Sequence, residues 1–152
     1  MFKRQTVTGP YSHVYSQDPA IDRGNPSFDH EQYTRTGDAK FLPLIRDLQP
    51  VTFELRHLAG RERAALGGVF SRYPESDSAL MFFDIVELAL VGISNGTTSD
   101  GAEVLMSTDY DKVRKVKVAS RSVLDDIFSI DNGKLLMELG NRVIEETFGD
   151  PT

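Results

Sequence analysis

Apolar and polar positions follow two different rules along this chain, and the change falls at Pro50. From there, Val51-Thr52-Phe53-Glu54-Leu55-Arg56-His57-Leu58 alternates apolar with polar, the period of a strand with one buried face. Residues 60–73, with Leu58 just before them, place Leu58, Glu62, Leu66, Val69, Phe70 and Tyr73 at helical spacing, which predicts a helix stopped by Pro74. Gly67-Gly68 in its middle implies close packing or a bend, because each glycine costs about 1 kcal/mol relative to alanine. Ser76 is placed to cap the next helix, with Asp77 in its first turn. Residues 79–93 are apolar except Asp84 and Glu87, so they predict a central, largely buried helix closed by Asn95-Gly96.

Beyond a polar loop at 97–101, segments 103–108 and 113–118 suit a hairpin with Asp109-Tyr110-Asp111 at its turn. Ser122-Val123-Leu124-Asp125 opens a short helix through Phe128. Asp131 is placed to cap a last helix over 132–148 with the stripe Leu135, Leu136, Leu139, Val143 and Ile144. Glu138 and Arg142 are expected to pair at i,i+4 on its wet side, and Gly149 and Pro151 to end it.

The first fifty residues obey neither period. Five of the seven prolines (Pro10, Pro19, Pro26, Pro43, Pro50) fall here and exclude long helices. Between them stand isolated large side chains, too many for a disordered linker. The expectation is an extended arm, residues 1–50, before a helical domain at 51–152. The arm's anchors would be Phe2, Tyr11, Tyr15, Phe28, Tyr33, Phe41, Leu44 and Leu48, each seated on another surface, preferably a neighbouring subunit, the alternative being an arm wrapped around its own core. On that expectation, deleting residues 1–40 leaves a folded monomer. The fold class is mainly α with a small β component, an α+β domain.

Composition narrows the function. The chain of 152 residues has the size of one domain and contains no cysteine, so disulfides and thiolate metal sites are out. Without a leader-like apolar run or a span of some 20 apolar residues, a reducing, aqueous compartment is expected. The net charge of −6 comes entirely from residues 51–152, with eleven basic and seventeen acidic side chains. An acidic domain repels phosphate backbones. Lys112, Arg114, Lys115 and Lys117, with Arg121, form the one basic cluster, read as a solvated strand face or an electrostatic contact, with Tyr110 alone nearby to stack a base.

Catalytic signals are thin. Asp84 and Glu87 share a helix face at i,i+3 and would shift each other's pKa if buried, but they align with Asp77 as an exposed stripe. Of His13, His30 and His57, only Asp29-His30-Glu31 resembles a ligand cluster, and three adjacent side chains cannot converge on one ion without a rigid frame. No metal, cofactor, nucleophile elbow or phosphate loop is expected, and the protein is read as a non-enzyme.

The order of features resembles a known group. The step Leu55-Arg56-His57-Leu58 leads into Gly60-Arg61-Glu62-Arg63, followed by an apolar helix closing on Val91-Gly92-Ile93 and an Asp100-Gly101 turn. A basic stretch then precedes Ser122 to Asp126 and the closing run from Leu135 to Ile144. Across 51–148 this order resembles tail-assembly-chaperone proteins of tailed bacteriophages. The resemblance implies a non-catalytic assembly or virion protein, a minor capsid, neck or tail part or a chaperone. It would bind other phage structural proteins, or copies of itself, in the virion or the host cytoplasm. The alternative reading, from the charge, is an acidic inhibitor of a host nucleic-acid-binding or defence enzyme.

Overall fold

Strand β2 (Thr52–Leu55) forms where the alternation places one and turns Phe53 and Leu55 into the core. It is the middle of a three-stranded antiparallel sheet, flanked by β1 (Tyr11–Val14) and β3 (Leu90–Ser94). The computed structural model describes residues 9–46, 48–58, 60–73, 78–96, 104–112 and 115–148. Phe2, Ser76, Asp77, the Asp100-Gly101 turn, Arg114 and the expected stop at Gly149 and Pro151 lie outside them. The architecture is α+β: helices α1 (His30–Thr36), α2 (Arg61–Arg72), α3 (Ser78–Ala89), α4 (Arg121–Phe128) and α5 (Lys134–Phe148), with a second sheet made of β4 (Thr108–Asp111) and β5 (Val116–Ala119). Among the described residues, no helix is long and apolar enough to cross a membrane.

The core is shared by β2, α2, α3, α4 and α5. Leu66, Ile85, Leu124, Ile127, Leu135, Leu136 and Leu139 are its largest enclosed aliphatics. The stripe of α5 is buried as its period requires. Gly140 lies where α5 meets α3, and a Cβ there would collide with the Phe82 ring.

Several expectations change. The apolar run 79–93 is not one helix: it ends at Ala89 and continues as β3 without a loop. Val91 and Ile93 are β-branched and Gly92 weakens a helix, while β2 offers an unpaired edge, so the sheet takes them. Gly92 also sits against the Glu54 side chain, where a larger residue would crowd it. The hairpin exists, but Asp109-Tyr110-Asp111 lies in strand β4, paired with 116–118 of β5, rather than at the turn. Asp131 does not cap α5, which begins at Lys134. Asp131 and Asn132 both adopt the left-handed region (φ 50° and 54°), which Asp and Asn tolerate better than most residues. Gly67 and Gly68 show neither close packing nor a break in α2, since a Cβ at either would meet open space.

In the first fifty residues, where they are described, the alternative of packing on the chain's own core replaces the preferred one of a neighbouring subunit. Residues 9–46 and 48–50 are built into the same body. β1 pairs with β2 over four residues, Tyr11 opposite Leu55 and Val14 opposite Thr52. Tyr15 is buried in the main core, its hydroxyl donating to Asp131 at 2.7 Å. Tyr11 packs on the same core, 4.7 Å ring to ring from His57. Val14, Ile21 and Leu42 form a second apolar cluster with Phe28 and Tyr33 against it. Phe41 is half-buried beside Leu42, and only Leu44 and Leu48 among the described anchors stay exposed. Spaced aromatics among prolines thus mark an irregular segment with its own inward positions. The periodicity test misses it because each element is seven residues or fewer.

Asp18 fastens this segment: its carboxylate accepts from Ala20 N–H (2.8 Å) and from Val51 N–H (3.0 Å), joining the turn after β1 to the start of β2. Two tests follow from the packing. Removing residues 1–21 should abolish cooperative urea unfolding, because buried Val14 and Ile21 alone contribute about 1.5–3 kcal/mol each; a truncated chain with a sharp, native-like transition would show the segment to be dispensable. Alanine should act with opposite sign at two helical glycines: Gly68→Ala stabilises by about 0.5–1 kcal/mol, whereas Gly140→Ala destabilises by about 1–3 kcal/mol through overpacking. Shifts of the same sign in denaturant midpoints would contradict that contrast.

Candidate functional site

Three side chains distant in sequence converge where β1, α1 and α5 meet. His13 lies on β1 and is almost fully buried, with 2% of its surface exposed. His30 begins α1, whose N-terminus is fixed by Asp29 accepting from Gln32 N–H at 3.1 Å. Glu138 projects from α5 at the edge of the apolar stripe. His13 Nε2 and Glu138 Oε2 are 2.7 Å apart, and Glu138 accepts further from Ser16 N–H (3.0 Å) and from the Ser16 hydroxyl. The two imidazoles stand edge to face, 5.4 Å between centroids. His30 Nε2 lies 2.7 Å from the Val14 carbonyl, which can only accept, so that nitrogen carries the proton.

Burial pushes the His13 imidazole below its usual pKa, and the hydrogen bond and charge of Glu138 offset this only in part. Burial acts the other way on Glu138, pushing the carboxyl up, but bonds from His13 and Ser16 outweigh it and hold the group below the usual range. His13 is therefore neutral with Nε2–H donating, which leaves Nδ1 a lone pair. That atom is buried and has no hydrogen-bond partner. His13, His30 and Glu138 each offer one ligand atom, all within 4.8 Å of one another, so this is where a metal ion could be held. A cavity of about 450 Å³ opens beside them, rimmed by Glu31, Arg35 and Glu145.

Sequence spacing gave no route to this cluster. His13 and Glu138 are 125 residues apart, and the ligand group that His30 joins includes neither of its sequence neighbours Asp29 and Glu31. The one available signal was the position of Glu138 next to Leu139 at the margin of the buried stripe. Its expected partner was Arg142. Instead Arg142 is buried, bonds Glu146 at 3.1 Å and lies over the Tyr11 ring at 5.0 Å.

The remaining candidates are dispersed. Asp84 and Glu87 are half-buried rather than a bare stripe. Tyr73 donates to Asp84 at 2.7 Å, and both acids line a 220 Å³ cavity with Arg121 and Asp125. Lys112, Lys115 and Lys117 stand exposed on the β4–β5 hairpin, with Lys117 opposite Tyr110. Leu44, Ile45 and Leu48, close together in sequence, are exposed at 40%, 45% and 42%. Comparison with protein-family models, curated proteins and solved structures finds no match to this chain.

The His13–Glu138 pair makes stability pH-dependent. Both groups have folded pKa values below their unfolded ones, so the unfolded chain binds more protons as pH falls. Their stabilisation is complete above the ordinary imidazole value of 6.5, declines below it, and declines further below the ordinary carboxyl value of 4.5. In chelator-containing buffer, unfolding free energy should drop from pH 7 to 5, and His13→Gln should flatten that slope. An unchanged slope in the variant would locate the effect elsewhere.

Proposed function

We propose that the protein is a non-enzymatic assembly component of a tailed-bacteriophage particle, acting by contact with other structural proteins. The order of features across 51–148, which resembles tail assembly chaperones, supports this reading. The observation that carries it is the exposure of three aliphatic side chains close together in sequence. Leu44, Ile45 and Leu48 face solvent on a backbone pinned by Ile45 N–H to the Ala20 carbonyl (2.8 Å) and Leu48 N–H to the Ile45 carbonyl (3.0 Å). Apolar side chains presented on a fixed backbone lose little conformational freedom when covered, which favours association. The occupant is a second particle protein with an apolar groove.

The aromatic tether has no part in this reading, because Tyr11, Tyr15, Phe28 and Tyr33 are engaged within their own chain. Contact passes instead to the two aliphatic anchors left outside, Leu44 and Leu48, with Ile45 between them. Such a protein works in the virion or in the host cytoplasm.

Replacing Leu44, Ile45 and Leu48 together by Asp should change stability by less than about 0.5 kcal/mol per site, as exposed substitutions do. Mass spectrometry of purified particles and assembly intermediates should find the wild-type chain and not the folded variant. Absence of the wild-type chain from both, or equal incorporation of the variant, would overturn the proposal.

A further inference from the structure

We propose that His13, His30 and Glu138 form a binding site for a divalent transition-metal ion of the zinc class, clamping β1 and α1 onto α5. The donor set is two imidazoles and one carboxylate, which such ions accept with one position left for water. The spacing fits. Two imidazoles bound to one ion at about 2.0–2.1 Å have ring centroids roughly 5 Å apart, and here they are 5.4 Å apart. His13 Nε2 and Glu138 Oε2, at 2.7 Å, need to open only slightly to become neighbouring ligands; the ion takes the place of the proton between them, and the neutral imidazole carries its one proton on Nδ1 instead.

The frame that was missing at Asp29-His30-Glu31 is supplied by the fold. His30 donates Nε2–H to the Val14 carbonyl, the kind of backbone bond that orients a ligating imidazole through its other nitrogen. Ser16 holds the Glu138 carboxylate from the far side with its N–H and hydroxyl.

Charge around the cavity permits a cation. The cavity is lined by three carboxylates, Glu31, Glu138 and Glu145, against two guanidinium groups, Arg35, paired with Glu31 at 3.4 Å, and Arg142, whose Nε bonds Glu146 while its Nη1 has no partner. The cavity gives an ion and its water access from solvent. This inference is independent of the assembly reading.

The test uses the full chain, stripped with a chelator, dialysed, and titrated with Zn²⁺ by calorimetry and with Co²⁺ by visible absorption. One ion per chain should bind, Co²⁺ should develop d–d bands of low-symmetry coordination, and Zn²⁺ should raise the thermal midpoint. His30→Gln and Glu138→Gln, each checked for folding by circular dichroism, should bind at least about tenfold more weakly and lose the midpoint rise, whereas His57→Gln should bind like wild type. No stoichiometric uptake by the wild-type chain, or undiminished binding by folded His30→Gln and Glu138→Gln, would overturn the site.

Discussion

The carboxylate of Glu138 is the constraint on which the arrangement of this protein depends. It sits on the last helix and accepts three hydrogen bonds from residues near the other end of the chain: His13 Nε2, Ser16 N–H and the Ser16 hydroxyl. Bonds to an ionised group are worth about 1.5–3 kcal/mol each, and removing one partner leaves the other desolvated. Around this tie the apolar contacts arrange themselves. Tyr15 can enter the main core because the backbone at Ser16 is held against α5, and its hydroxyl then reaches Asp131. Val14, one residue from His13, closes the second cluster with Ile21 and Leu42.

How legible this was depended on the reach of each signal. Elements whose stabilisation is local or periodic stood out: the alternation of β2, the stripe of α5, and the helices α2 and α4. Boundaries set by a distant partner did not. β3 was hidden inside an apolar run because its strand identity comes from pairing with β2, not from its own period. The segment 9–50 carried its inward positions in plain view as Tyr15, Ile21 and Leu42. Without periodicity, nothing in the sequence said whether they would face this chain or another. The site suffered most. His13, His30 and Glu138 are joined only by tertiary structure, so no spacing rule could gather them, whereas Asp84 and Glu87, adjacent by helical geometry, drew attention that the fold spreads over a small cavity with Tyr73 and Arg121.

Moving the first third into the body changes what the protein has available for partners. Buried aromatics cannot also serve as grips on a neighbour. Of the anchors expected in that segment, those that remain outside among the described residues are aliphatic, Leu44 and Leu48, with Ile45 between them; elsewhere Leu80, Leu105 and Tyr110 are exposed as well. Asp18, the sheet and the Glu138 tie together hold the described residues of this segment, 9–46 and 48–50, to the rest of the body.

The integration of that segment is most directly tested by native-state hydrogen exchange. The amides of Ser16, Asp22 and Val51 donate to Glu138, to the Pro43 carbonyl and to Asp18 respectively. They should exchange as slowly as the interior amides of α5, opening only with global unfolding. Exchange of those three amides at the rates of an unstructured peptide, while α5 stays protected, would contradict the account.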